Sequence, residues 1–457
     1  MRSSQKVIFF NGISFQKYNI DFQFDSYDRI KLINHKLIEE NVCFKKNEVL
    51  IHSGFCDSHI HSFWEASLSG NLNLVNIISN TELQYLVENF SSEIVTGYGW
   101  DENKIDGFCV DFVEKINKPI YLLRVCGHQA IVNKEFCNIH NLTFTKNIVG
   151  DEIILKYETL KTKIPNVNFE KIIIAAQESL LKKGINSISE MSVSTNEINA
   201  VLQLLKDKKL NINMDLIPLF SELEKEYLPI QEKQGKVEIN VIHNKWYLDG
   251  SFGAKSARLR IPYKDSNTKG NLYYTDEKLF SEVEIALKKN FLLSFHAIGD
   301  GAIDQIIRLS QYFSSDLLRV SNFYKKNFHR IEHLQLFNKD QELFFTENNL
   351  WEFHIQPFHR IFDAHFFKQR LGVERVAEAY SQNFSKKIKV YLGSDSPIGS
   401  NLLSDYMESL INHPCPTQRY TNKEALEFIV KNNKYSDFTI KNGKNYFLSD
   451  IHWPKKQ

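Results

Sequence analysis

From about residue 180 onward, short apolar runs alternate with segments of helical spacing, and this alternation limits the fold more than any other feature of the 457 residues. The runs are Ile185–Ser189, Ile212–Leu219, Val237–Leu248, Phe291–His296, Phe328–His333, Trp351–Gln356 and Val390–Ser394. Each reads as an apolar, strand-like run. Between them lie amphipathic stretches such as Phe169–Lys183, Glu277–Asn290 and Gly301–Phe313. Strand, helix and strand in succession give a parallel sheet with crossover helices. With the strand that ends at His59 there are eight strands, the count that predicts a (β/α)8 TIM-like barrel in the α/β class. Residues 64 to about 180 are then an insertion after the first strand, too long for an ordinary connection. An insertion at that end of a barrel covers the active site. Ahead of the first strand, Lys6–Phe10, Phe22–Phe24 and Val49–His52 read as a small β-rich portion.

The carboxyl ends of barrel strands meet on one face. The segment Gly54-Phe55-Cys56-Asp57-Ser58-His59-Ile60-His61 puts two imidazoles two residues apart, on the same side of an extended backbone. Lys245 lies in the fourth strand, His296 ends the fifth, His333 the sixth and Asp395 the eighth. One strand-end histidine is most often a hydrogen-bonded structural residue. Four of them and an aspartate at the same end of different strands are a donor set for zinc, iron or manganese, with zinc the default. A metal there lowers the pKa of a bound water toward neutrality, and Asp395 is placed to take the proton and return it to the leaving group. An ammonium among such ligands would repel the ion unless carbon dioxide has turned Lys245 into a carbamate, an anionic bridge. His359, just past Pro357 at the end of the seventh strand, is placed to reach a substrate. Asp249 and Arg330 are candidates for orienting the ligands, with structural ion pairing as the alternative for each. His354 and His365 read as incidental.

Taken in order, GFCDSHIH, Lys245-Trp246-Tyr247-Leu248-Asp249-Gly250-Ser251, FHAIGDGAI, RIEHLQ and LGSDSP resemble the amidohydrolase superfamily, in particular its YtcJ-like branch, amidohydrolase family 3. Gly97-Tyr98-Gly99-Trp100-Asp101 and Arg124-Val125-Cys126-Gly127-His128, inside the insertion, resemble that branch too. The resemblance implies a metal-dependent hydrolase acting on carbon–nitrogen bonds other than peptide bonds, with one or two ions. It makes His59, His61, His296 and His333 imidazole ligands, Lys245 the carboxylated bridge, and Asp395 both ligand and proton shuttle. It also implies that Trp100, Asp101, Arg124 and His128 line the substrate pocket. The family pattern has an arginine where this chain has Lys255, and commonly an aspartate where Glu190 stands. Its chain returns at the end to a β-sandwich, and Ile440–Leu448 resembles a worn form of that return. The implied domains are 1–50, the N-terminal part of a small β-sandwich-like domain; 51–410, the barrel with insertion 64–180; and 411–457, an abbreviated return to the β domain.

Two other readings compete. His329-Arg330-Ile331-Glu332-His333 fits the inverted zinc-peptidase pattern, which requires a helix. A degenerate homologue that binds a ligand or metal without turnover is the other. A net charge of +1 offers no field for nucleic acid or an anionic membrane, and no apolar run reaches membrane-spanning length. The expected partner is a small molecule and the expected location the cytoplasm, with homo-oligomer formation open. The six cysteines contain no CxxC pair and read as reduced.

Overall fold

Each of the seven apolar runs contains a strand in the structure, a computed structural model that describes residues 2–10, 15–24, 30–39, 49–52, 55–68, 71–125, 127, 129–150, 153–154, 168–222, 227–325, 327–421, 424–425, 428–429, 438–441 and 444–447. The strands that carry candidate ligands or lie between them are β1 (Phe55–Ile60), β2 (Ile185–Met191), β3 (Asn213–Ile217), β4 (His243–Tyr247), β5 (Leu292–Ala297), β6 (His329–His333), β7 (Trp351–Ile355) and β8 (Lys389–Leu392). They fall into two five-stranded sheets. One runs β1, β2, β3, Val237–Val241, Ile230–Gln234, and the other runs β4 to β8 in chain order. Pairing is parallel throughout β1–β3 and β4–β8. The sheets also touch at both edges. Lys245 N donates to Pro218 O at 2.9 Å, and Asp395 N donates to His59 O at 2.7 Å.

The run Val237–Leu248, expected as one strand, is two. Val237–Val241 pairs with β3 and, antiparallel, with Ile230–Gln234, whereas β4 pairs with β5. The hairpin turns at Gly235, whose φ of 62° suits glycine. Ile230–Gln234 (IQEKQ) has no apolar alternation, so only its pairing makes it a strand.

The crossover helices are set by their caps and apolar faces. In Thr195–Lys206 the Ser194 hydroxyl accepts from Glu197 N while the Glu197 carboxylate accepts from Ser194 N, a reciprocal cap. The same helix buries Ile198, Val201 and Leu204, each worth about 1.5–3 kcal/mol when fully removed from water. Asp276–Lys288 and Asp300–Tyr312 likewise bury one face against β5.

Within the inserted stretch, Leu72–Asn73, Val95–Trp100, Ile120–Arg124, Gln129–Val132 and Ile148–Gly150 form a separate five-stranded sheet over an apolar core that includes Leu83, Trp100 and Leu122. A six-stranded sheet combines strands from the two ends of the chain. Arg2–Phe10, Phe15–Phe24, Ile30–Glu39 and Val49–His52 share a sheet with Phe438–Lys441 and Lys444–Phe447, and Thr439 pairs antiparallel with Ile51. Asn442, Gly443 and Leu448 of the segment compared with the family lie outside the described residues. Among the described residues, no helix is long and apolar enough to cross a membrane.

Candidate active site

The ends of β1, β6, β7 and β8 bring together side chains that are far apart in sequence. The ligand atoms of His59, His61 and Asp395 lie within 4.8 Å of one another, and so do those of His333, His359 and Asp395. His59 Nε2 and His61 Nε2 are 3.3 and 3.2 Å from Asp395 Oδ1. Gly393 makes this approach possible. A Cβ there would sit 2.5 Å from His59 Cβ and 2.7 Å from its backbone nitrogen.

Left-handed backbone re-aims two of these residues. Along β6, Arg330 and Glu332 share one face while His329 and Ile331 take the other. His329 is used structurally, with Nδ1 accepting from Leu293 N and Nε2 meeting Leu317 O, both at 3.1 Å. Positive φ at His333 (78°) and Leu334 (46°) breaks the alternation. The His333 ring consequently lies 4.7 Å from that of His59 and 4.4 Å from that of His296, centroid to centroid. Asp395 has φ 55°. Non-glycine residues in this region are uncommon and gather at functional sites. Because β6 is a strand, His329 and His333 do not stand one helical turn apart, and the inverted zinc-peptidase arrangement is not formed.

Hydrogen bonds on the far ring nitrogens decide which histidines present a lone pair. The Glu332 carboxylate accepts from His59 Nδ1 at 2.7 Å, so Nε2 is the ring nitrogen turned toward Asp395. Gln356 Nε2 donates to His354 O, so its Oε1 accepts from His333 Nδ1 at 2.8 Å and His333 Nε2 is bare. Glu332 is itself held by Arg330 Nε and Ser294 Oγ, both at 2.8 Å. Burial works against the Glu332 charge, but Arg330, His354 and His59 hold the carboxyl well below the usual range. Burial likewise opposes ionisation of Asp395, and His59, His61 and His333 outweigh it. Burial lowers the pKa of His61, His333 and His359, which favours the neutral rings that metals bind.

These atoms fit a cation. His59 Nε2 is buried without a hydrogen-bond partner and faces the Asp395 carboxylate. An imidazole nitrogen facing a carboxylate oxygen at 3.3 Å needs a positive charge at the contact, either a ring proton or a cation bound between them. Lys245 is 1% exposed, with Nζ 4.7 Å from the centre of the Tyr247 ring. His296 stands apart from both three-residue groups. Its Nε2 faces Gly250 O at 3.2 Å and Asp249 Oδ1 at 3.7 Å. Asp249 accepts from the backbone N–H groups of Ile298, Gly299 and Arg258, and so ties the loops after β4 and β5 together.

A cavity of about 1060 Å3 opens over this cluster. His61, Lys245, His296, His333, His359 and Asp395 form its floor, and the inserted stretch contributes Asp101, Lys104 and Arg124 to its wall. Arg124 is buried and pairs with Asp101 at 3.0 Å and Glu102 at 2.7 Å. Trp100 does not belong to the lining. Its indole is fully buried, stacks on Phe108 and donates to Leu122 O at 2.7 Å, so the expected substrate contact is a packed core residue. His128 lies outside the described residues. His365, read as incidental, reaches Asp101 at 3.4 Å. His359, expected to meet substrate, shares a group with His333 and Asp395. Glu332 and Gln356 escaped notice as orienting groups; the only signal was a polar residue at a strand end beside a histidine or proline.

Comparison with known proteins follows the same lines. The amidohydrolase family profile matches residues 50–402. YtcJ of Bacillus subtilis (strain 168) is 23% identical over 418 residues, covering 82% of this chain and 75% of that protein. An uncharacterised metal-dependent hydrolase from Pyrococcus furiosus superposes with a TM-score of 0.66 at 23% identity, covering 93% of each chain. A second, from Pyrococcus horikoshii OT3, gives 0.69 at 22% identity, covering 93% of this chain and 92% of the other. With ordered strand-end donors under a capped cavity and a family match over most of its length, the chain belongs to the amidohydrolase family.

Proposed function

We propose that the chain is a metal-dependent hydrolase that cleaves an amide-like, non-peptide carbon–nitrogen bond of a small molecule. The observation that carries this reading is the convergence of His59, His61 and Asp395, with bare or unpartnered buried nitrogens, at the floor of a large cavity. In this reading β1 to β8 close one barrel through their contacts at Lys245 and Asp395. His59, His61, Lys245, His296, His333 and Asp395 would hold one or two divalent ions, zinc by donor type. When bound, such an ion polarises a carbonyl and brings the pKa of water near neutrality.

The chain's own groups supply the rest. Asp395 accepts the proton of the attacking water and passes it to the leaving nitrogen. Glu332 and Gln356 keep the His59 and His333 rings turned with Nε2 inward. From its ammonium form Lys245 would lose two protons as Nζ bonds to carbon dioxide, so that the carbamate places an anion able to bridge where a buried cation would stand without a partner. The inserted stretch selects the molecule through the cavity wall.

Elemental analysis of protein purified without added metal tests the reading, with native mass recorded for an adduct of one carbon dioxide. One to two ions per chain and turnover within an amide panel are expected. No metal uptake after reconstitution with zinc and bicarbonate would overturn it and favour a ligand-binding protein without turnover.

A further inference from the structure

We propose that His359 is a hydrogen-bond donor to the substrate's carbonyl oxygen and not a metal ligand, its ring proton fixed on Nε2 by Gln335, Tyr380 and Asp363 behind it. This rests on the hydrolase reading above. Donors and acceptors set the proton's position. Gln335 Oε1 accepts from the Tyr380 hydroxyl at 3.0 Å, which turns the amide nitrogen toward His359 Nδ1 at 3.2 Å. An amide nitrogen can only donate, so His359 Nδ1 accepts and Nε2 carries the hydrogen. His59 and His333 have the opposite pattern, with acceptors on Nδ1.

The chain of bonds continues to the cavity wall. The Tyr380 oxygen also meets Asp363 Oδ2, and Tyr380 N donates to Gln335 O at 2.7 Å, which fixes the two residues together. One hydroxyl proton serves one acceptor, so this arrangement holds while Asp363 is a carboxylic acid that donates to the Tyr380 oxygen; with Asp363 ionised the hydroxyl donates to it instead. Burial pushes the Asp363 carboxyl up to about 7, with Tyr380, Arg124, Asp101 and Lys104 around it.

The donor lies at the border of the cavity, beside the proton shuttle. His359 Nε2 is buried, lacks a hydrogen-bond partner and lies on the cavity wall. It is 3.7 Å from Asp395 Oδ2, beyond hydrogen-bond reach. Gly399 leaves the approach clear, since a Cβ there would come within 3.2 Å of Nε2. A substrate carbonyl oxygen held at this point gains a donor that strengthens as negative charge develops on it.

The test combines zinc binding, nitrogen NMR and one probe. His359→Gln is expected to bind as much zinc as the parent protein, while His59→Gln loses zinc. In metal-free protein labelled with 15N-histidine, His359 Nε2 should be the protonated nitrogen and stay so when zinc is added. With 4-nitroacetanilide as probe, His359→Gln should lower kcat by about 10²–10³-fold, as loss of one oxyanion donor does. Gln335→Leu should mix the His359 tautomers at unchanged zinc content, which a merely structural glutamine would not do. Loss of zinc in His359→Gln, a proton on Nδ1, or an unchanged kcat would each overturn the proposal. A parent protein that takes up no zinc refutes the hydrolase reading alone, because the metal-free spectrum still decides where the His359 proton is.

Discussion

Replacing Glu332 by glutamine tests the orientation of His59 most directly. Glu332 is fully buried and accepts from His59 Nδ1 at 2.7 Å, Arg330 Nε at 2.8 Å and Ser294 Oγ at 2.8 Å. Glu332→Gln keeps the shape but removes the charge and one acceptor oxygen, so His59 and Arg330 compete for a single oxygen. Loss of such an orienting carboxylate weakens metal binding by about 10–100-fold, or about 1.4–2.7 kcal/mol. Arg330 loses its buried ion partner as well, and breaking a buried pair costs about 3–5 kcal/mol of stability. Zinc titration against a competing chelator reads the first effect, and urea unfolding of metal-free protein reads the second. An unchanged zinc affinity would refute the orienting role, whatever happens to stability. Unchanged stability would mean that the Arg330 contacts to Ser189 Oγ and Ser58 O suffice for its charge.

Asp395→Asn should lower turnover by about 10²–10⁴-fold with most of the metal retained, and retained activity would remove Asp395 from the proton path. Trp100→Ala should cost about 3–5 kcal/mol in urea unfolding while leaving KM near the parent value, because the indole sits in the core of the inserted sheet and not in the cavity. A raised KM at unchanged stability would restore it to the pocket. Glu190, which accepts from Ser62 N, Ser62 Oγ and Phe63 N, has its pKa raised by burial from 4.5 to about 8. A carboxyl whose folded pKa is raised contributes stability that is full below pH 4.5 and is lost as pH climbs to about 8. Glu190→Gln should therefore gain on the parent protein across that window in urea midpoints, and a constant gap would show that Glu190 titrates normally.

The order of strands and most of the side chains that converge on the cavity floor were legible in the sequence because both follow from local rules. A strand buried on both faces is rich in apolar residues, as Leu292, Leu293, Phe295 and Ala297 show, and residues two apart on it share a face, as His59 and His61 nearly do. The break between Val241 and His243 carried no such mark, since Val237–Leu248 is uniformly strand-like and only different partners divide it. What the tertiary structure alone decided is where side chains turn once a strand ends. Left-handed backbone at His333 and Asp395 points them into the cluster, Gly250 O faces His296 Nε2, and the insertion core takes Trp100. The partners that choose each histidine's tautomer, Glu332, Gln356 and Gln335, likewise come from packing. Local periodicity shows where strands lie; the rotation beyond their ends depends on partners 23 to 273 residues away, and those contacts exist only in the folded chain.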